Sequence, residues 1–163
     1  MMYQEIELVE SIKLYRSKGN YYRLSSPIMN IYYYLDSRYD ISNREAYLEE
    51  IKPTLERLIS LEIQNFIADL FVELYRGRKE YVVSKDKEVD FIITKRNKAE
   101  IIGEVKWKKI NQEDINKFIK NSENLNGRKI LICKTGQVKQ IGIELIDSTS
   151  LVDLTKKRIA RLE

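Results

Sequence analysis

One stretch of this 163-residue chain restricts its possible folds more than any other, residues 88–109, which read EVDFIITKRNKAEIIGEVKWKK. Two β-prone runs, 88–94 and 100–108, flank a short turn rich in Lys, Arg and Asn, a pattern that predicts a β-hairpin. Side chains alternate across a strand, so Val89, Phe91 and Ile93 share one face of the first run while Glu88 and Asp90 share the other. In the second run Ile101, Gly103, Val105 and Trp107 lie together, and Glu104 and Lys106 point the opposite way. A turn centred near Asn97 sets Asp90 across from Glu104 and Glu88 across from Lys106. Two carboxylates facing each other on a sheet repel. Their pairing is explained if a cation sits between them, and a divalent metal with oxygen ligands suits that place. The same spacing also fits an amphipathic hairpin whose cross-strand charges, Glu88 with Lys106 among them, are solvated salt bridges.

Upstream, residues 54–75 carry Leu55, Leu58, Ile59, Ile63, Phe66, Ile67, Leu70 and Leu74 at spacings of three and four, an apolar stripe that predicts the core helix before the hairpin. The helical pattern starts at Asn43 and is expected to break or kink at Pro53. Arg76-Gly77-Arg78-Lys79 ends it, and Tyr81-Val82-Val83 predicts a first strand. Residues 1–16 hold enough apolar side chains for a short packed helix or strand. Lys18-Gly19-Asn20 signals a turn, and residues 21–24 are β-prone enough to close a small hairpin. Ser25-Ser26-Pro27 reads as the start of a helix through Ile28, Ile31, Tyr32 and Leu35. After the central hairpin, Asn111 or Asp114 caps a helix with Ile115, Phe118 and Ile119 inward. Residues 129–133 and 143–146 read as strands, and Ser148 starts a basic helix.

Histidine is absent, which excludes Ser-His-Asp and Cys-His triads and any His-ligated zinc within the chain. Hydrolysis would need carboxylates, lysine or a metal. No G-x-x-x-x-G-K-[ST] occurs, so the chain has no ATP site of the P-loop kind. Cys133 is the only cysteine; KILICK around it reads as a buried strand, and no internal disulfide can form. The length suits one domain with a real core, or a domain with a helical appendage. No apolar run reaches the ~20 residues of a membrane span, and no secretory signal is visible, so a cytoplasmic protein is expected. A net charge of +4 and a pI near 9.0 suit an anionic partner.

Asp90 on one strand, with Glu104-Val105-Lys106 on the next, resembles the active-site motif of the PD-(D/E)XK nuclease superfamily. More narrowly, EVDFII followed by GEVKWKK, with KGNYYRLSSPIMNIYYYL well upstream, resembles the C-terminal nuclease-like domain of archaeal ATPases. The resemblance covers most of the chain. It implies a mixed α/β fold with a restriction-endonuclease-like core and an N-terminal helical segment, residues 1–52 forming a helical or linker segment and 53–163 the nuclease-like domain. It implies a metal-dependent endonuclease hydrolysing DNA phosphodiester bonds. In that reading Mg²⁺ or Mn²⁺ is held by Asp90, Glu104 and the Val105 carbonyl, while Lys106 orients the water or contacts phosphoryl oxygens.

The superfamily often takes a third acid from its core helix. Here Gln64 stands at that position, with Glu62 and Asp69 on other helical faces. This departure leaves open a catalytically silent domain that binds DNA or serves an ATPase as an interaction module. Two basic groups, Arg76, Arg78 and Lys79, and Lys106, Lys108 and Lys109, are expected either to flank the metal site and grip phosphates or to be solvated ends of elements. Trp107 is expected in the core beside Val105. The tyrosines at 32, 33, 34, 39 and 47 are expected to pack helices with their hydroxyls exposed. Expected partners are DNA and an ATPase module in the same or another chain, and a homodimer is left open.

Overall fold

The computed structural model describes residues 8–82, 89–136 and 141–159. Its centre is the hairpin of β4 (Phe91–Lys95) and β5 (Lys98–Lys109). The link is a two-residue turn in which Arg96 and Asn97 both take positive φ, 49° and 63°. That backbone matches the right-handed twist of paired strands, and Asn tolerates it well. A bulge between Ile93 and Thr94 absorbs one residue, so the pairs nearest the turn differ in register from Phe91↔Gly103 and Ile92↔Ile102. Gly103 is required there because a Cβ would stand 2.1 Å from the Phe91 ring.

Five further strands extend this pair into one mixed sheet: β1 (Val9–Leu14), β2 (Asn20–Leu24), β3 (Arg78–Tyr81), β6 (Arg128–Thr135) and β7 (Ile143–Ile146). The order across it is β2-β1-β3-β4-β5-β6-β7. β1 pairs with β3, β5 with β6 and β6 with β7 in parallel, and the remaining neighbours are antiparallel. Among the described residues four helices accompany the sheet: α1 (Pro27–Tyr39), α2 (Leu48–Tyr75), α3 (Gln112–Ser122) and α4 (Ser148–Ile159). On one sheet face Ile67, Ala68 and Phe71 of α2 and Leu151 of α4 pack on Phe91, Ile93, Ile101, Val105, Ile130 and Ile132. On the other, Ile115 and Phe118 of α3 pack on Ile92, Ile102, Leu131 and Cys133. Covered on both faces, β4, β5 and β6 are therefore continuous apolar runs at their centres. The chain is thus a mixed α/β protein. No described helix is long and apolar enough to cross a membrane.

Several expectations change. Residues 9–24 are not helical: β1 and β2 form a hairpin that joins the sheet, with Lys13↔Glu80 and Leu14↔Tyr81 as the parallel link to β3. α2 runs on through Pro53, so the division expected at 52/53 falls inside one helix. A proline this near the N-terminus removes only one helical hydrogen bond. The face of α2 that reaches the core is Leu58, Ile67, Ala68 and Phe71, whereas Ile59 is exposed and Phe66 is 68% exposed. α1 claims part of the surface of α2, with Tyr39 Oη and Thr54 Oγ1 2.6 Å apart. β3 begins at Arg78, earlier than expected, and residue 83 lies outside the described residues. Arg76 takes the left-handed position that ends α2, and Gly77 is needed for space, since a Cβ there would meet Ile93 Cγ2 at 2.4 Å.

Other elements follow their local signals. Ser26 caps α1 ahead of Pro27, its hydroxyl accepting from the Met29 N–H. Both candidate caps of α3 act together in a capping box: Asn111 Oδ1 accepts from Asp114 N at 2.9 Å, and Asp114 Oδ2 from Asn111 N at 3.1 Å.

Candidate functional site

The chain bends at Asp90 immediately before β4. Because of the bend Val89 enters the α3-side core with Ile92, rather than sharing a face with Phe91 and Ile93. The register of Phe91↔Gly103, continued by one residue, puts Asp90 opposite Glu104, although the ladder itself stops at Phe91. Asp90 Oδ2 accepts a hydrogen bond from the Val105 N–H at 2.6 Å. This bond holds the acid against the strand that carries the other two residues. Glu88, expected opposite Lys106, lies outside the described residues.

Glu104 shares the face of Ile102 on β5, opposite to that of Val105, and is 4% exposed. Its Oε1 lies 2.6 Å from Lys106 Nζ. Its Oε2 is buried without a hydrogen-bond partner among the described residues. A buried charged oxygen left unpaired is costly. For Lys106, burial pulls the pKa down, but the hydrogen bond to Glu104 and the charges of Glu104, Asp90 and Asp114 outweigh it, and the net value is raised. The cation beside Glu104 and within the field of Asp90 is therefore the Lys106 ammonium. Asp90, Glu104 and Lys106 are brought together.

The remaining expected residues divide by position. Lys108 and Lys109 continue β5 past Lys106; Lys108 Nζ is 3.0 Å from Asp114 Oδ1 at the start of α3. Trp107 does not enter the core. It is 39% exposed and lines a groove of about 250 Å³ with Gln64, Lys106 and Lys108, near the end of β5 where its pairing with β6 slips register. Arg78 pairs with Thr94 at the turn end of β4, roughly 13 Å along the strand from Asp90 at ~3.3 Å per residue. Its guanidinium bonds Glu80 at 2.7 Å and reaches Asn97 at 3.4 Å. Arg76, at the adjoining end of α2, shares that end of the sheet. Thus Arg76 and Arg78 do not flank the carboxylates. Lys79 is buried, its ammonium bound to Glu10 at 3.0 Å and to Asp69.

Gln64 lines two hollows, the Lys106 groove and a larger cavity of about 420 Å³ that reaches Asp90. Glu62 is engaged by Arg23 at 3.0 Å and Asn30 at 3.2 Å, so it is no substitute for an acid at position 64. The cavity contains residues that sequence patterns missed, notably Tyr21, Tyr22, Arg23 and Arg57. The β-prone Tyr-Tyr-Arg run was the available signal, but its place opposite α2 depends on the long-range pairing of β1 with β3.

Hard divalent cations take oxygen ligands, and Mg²⁺ commonly keeps waters beside one or two carboxylates. Asp90 and Glu104 bring two carboxylates together, and the unpartnered Glu104 Oε2 suits a cation ligand. Among the described residues no group of three or more His, Cys, Asp or Glu could hold a metal ion, so water and substrate oxygens would complete the shell. In comparisons with known proteins, no family model, curated protein or solved structure matches the chain significantly.

Proposed function

We propose that the chain is a metal-dependent nuclease domain with a restriction-endonuclease-like PD-(D/E)XK core, hydrolysing DNA phosphodiester bonds in the service of an ATPase module in the cytoplasm. The observation that carries this reading is the Glu104 carboxylate, buried beside Lys106 and with one oxygen left without a partner, next to the second carboxylate of Asp90. Bound Mg²⁺ or Mn²⁺ would neutralise the phosphate and lower the pKa of an attacking water. Asp90, Glu104 and the Val105 carbonyl would hold it. Lys106, beside Glu104, would orient the attacking water or contact phosphoryl oxygens and balance developing charge. Lys108, Lys109 and the net charge of +4 favour an anionic substrate.

With Mg²⁺ or Mn²⁺ the protein is expected to nick supercoiled plasmid DNA and with chelator to leave it intact. Asp90→Ala and Lys106→Ala should each slow nicking by about a hundredfold or more, the scale of losing one preorganised charge. Nicking unchanged in either variant would place the activity elsewhere. Metal binding is read separately from cleavage: Mn²⁺ should raise the melting temperature of the parent and not of Asp90→Asn.

Gln64 favours a second reading, because a carboxamide is a poorer ligand than a carboxylate and it lines the wall where the third acid would stand. On that reading the domain binds DNA without cutting it. Gln64→Glu should then tighten Mn²⁺ binding, and an unchanged titration would remove position 64 from the metal site.

A further inference from the structure

The cavity of about 420 Å³ lies between the β1–β2 hairpin, α1, α2 and the end of β3, and Asp90 is part of its lining. Its volume falls in the range of small-ligand sites and suits one nucleotide better than a base pair. Tyr21 of β2, on the same strand face as Arg23, presents a ring that is 50% exposed at its wall, edge-on to Tyr81 with ring centres 5.6 Å apart. Large aromatic rings are normally covered, and rings left open at a cavity offer stacking faces. Across from Tyr21 the Arg57 guanidinium lies 5.0 Å from the centre of the Tyr34 ring, and no carboxylate among the described residues pairs with it. A second arginine in the same wall, Arg23, is 7% exposed and already paired with Glu62 at 3.0 Å and Glu10 at 3.6 Å, so the charge open to a ligand is that of Arg57. An open aromatic ring, an apolar floor at Leu58 and Leu61, and the Arg57 guanidinium are together the chemistry of a base with its phosphate.

We propose that this cavity holds one unpaired nucleotide of the DNA strand being cleaved, its base against Tyr21 and its phosphate at Arg57, beside the phosphodiester presented to Asp90. The proposal rests on the nuclease reading and adds a substrate form to it. Bases within a duplex keep their faces in the stack, so a pocket of this kind selects single strands, frayed ends or an extruded base.

The test is equilibrium binding in chelator, where no cleavage occurs, using a fluorescein-labelled short oligothymidylate, a blunt DNA hairpin of the same length, and thymidine monophosphate as competitor. The parent should prefer the single strand to the blunt hairpin, and Tyr21→Ala and Arg57→Ala should each weaken single-strand binding about tenfold, as expected for one lost stacking or phosphate contact. Both residues are exposed, and unchanged thermal melts would show that the variants fold. Equal binding of hairpin and single strand, or variants that bind as tightly as the parent, would overturn the proposal. Thymidine monophosphate binding as tightly as the oligonucleotide would overturn the assignment to a strand. The two readings fail separately. Strand binding through Tyr21 and Arg57 without metal-dependent nicking keeps the pocket and removes the nuclease, whereas nicking with variants unimpaired in binding does the reverse.

Discussion

The Lys106 ammonium stands 2.6 Å from Glu104 Oε1 in a place where burial alone would favour losing its proton. Removing it leaves a nearly buried carboxylate without its counter-charge, so Lys106→Met should destabilise the protein by about 2–3 kcal/mol in urea melts at neutral pH. Adding Glu104→Gln should recover part of that loss, because the two sites share one interaction. The pH dependence has a definite sign. A lysine whose folded pKa is raised contributes stability that is fully present below the unfolded value of about 10.4 and is lost as pH rises through the folded value. The gap between parent and Lys106→Met should therefore narrow above about pH 10.5, and a gap constant to higher pH would show that the ion pair adds nothing. Alternation along β5 is enough to bring Glu104 and Lys106 to one side, so that much was readable in the sequence. The unpartnered Oε2 was not, since it depends on what fails to approach it.

Within the hairpin, the close fit of Phe91 over Gly103 should make Gly103→Ala cost about 3 kcal/mol or more, at the upper end of overpacking penalties. Pairing it with Phe91→Leu should cost less than the sum of the single changes, read from denaturant midpoints. This hairpin was the most legible element because its apolar alternation and its Asn97 turn are local signals. α2 was legible as a helix and in part of its buried face, Leu58, Ile63, Ile67 and Leu70, but not in all of it. Three-and-four spacing selected Ile59 and Phe66, which are exposed, because a helix packed partly on α1 and partly on the sheet buries no single straight stripe. The β1–β2 hairpin was legible only as a turn with a β-prone flank. Its membership in the sheet is decided by Leu14↔Tyr81, a pairing that no local pattern encodes. For the same reason Trp107 was misplaced, since its exposure follows from where β6 stops accompanying β5 in register.

At the scale of the whole molecule the sheet joins two kinds of connection. β4 and β5 meet through a two-residue turn, while β1 must find β3 after α1 and α2 have intervened. Closing a longer loop costs more chain entropy, and pairings distant in sequence form more slowly. In native-state hydrogen exchange the Tyr15 amide, bonded to Tyr81 O at 2.8 Å across that seam, should therefore exchange well before the amides of Ile130 to Ile132 in the central strand. Exchange of both sets at one common rate would show that the sheet opens only as a whole. The seam also carries a wall of the tyrosine-lined cavity, because Tyr21 and Tyr22 reach it only when β1 is docked. Assembly should therefore have a sequence in time: the central hairpin sets the register of the carboxylates and Lys106 when it closes, and the surface that would grip an unpaired base should be completed later and come apart earlier.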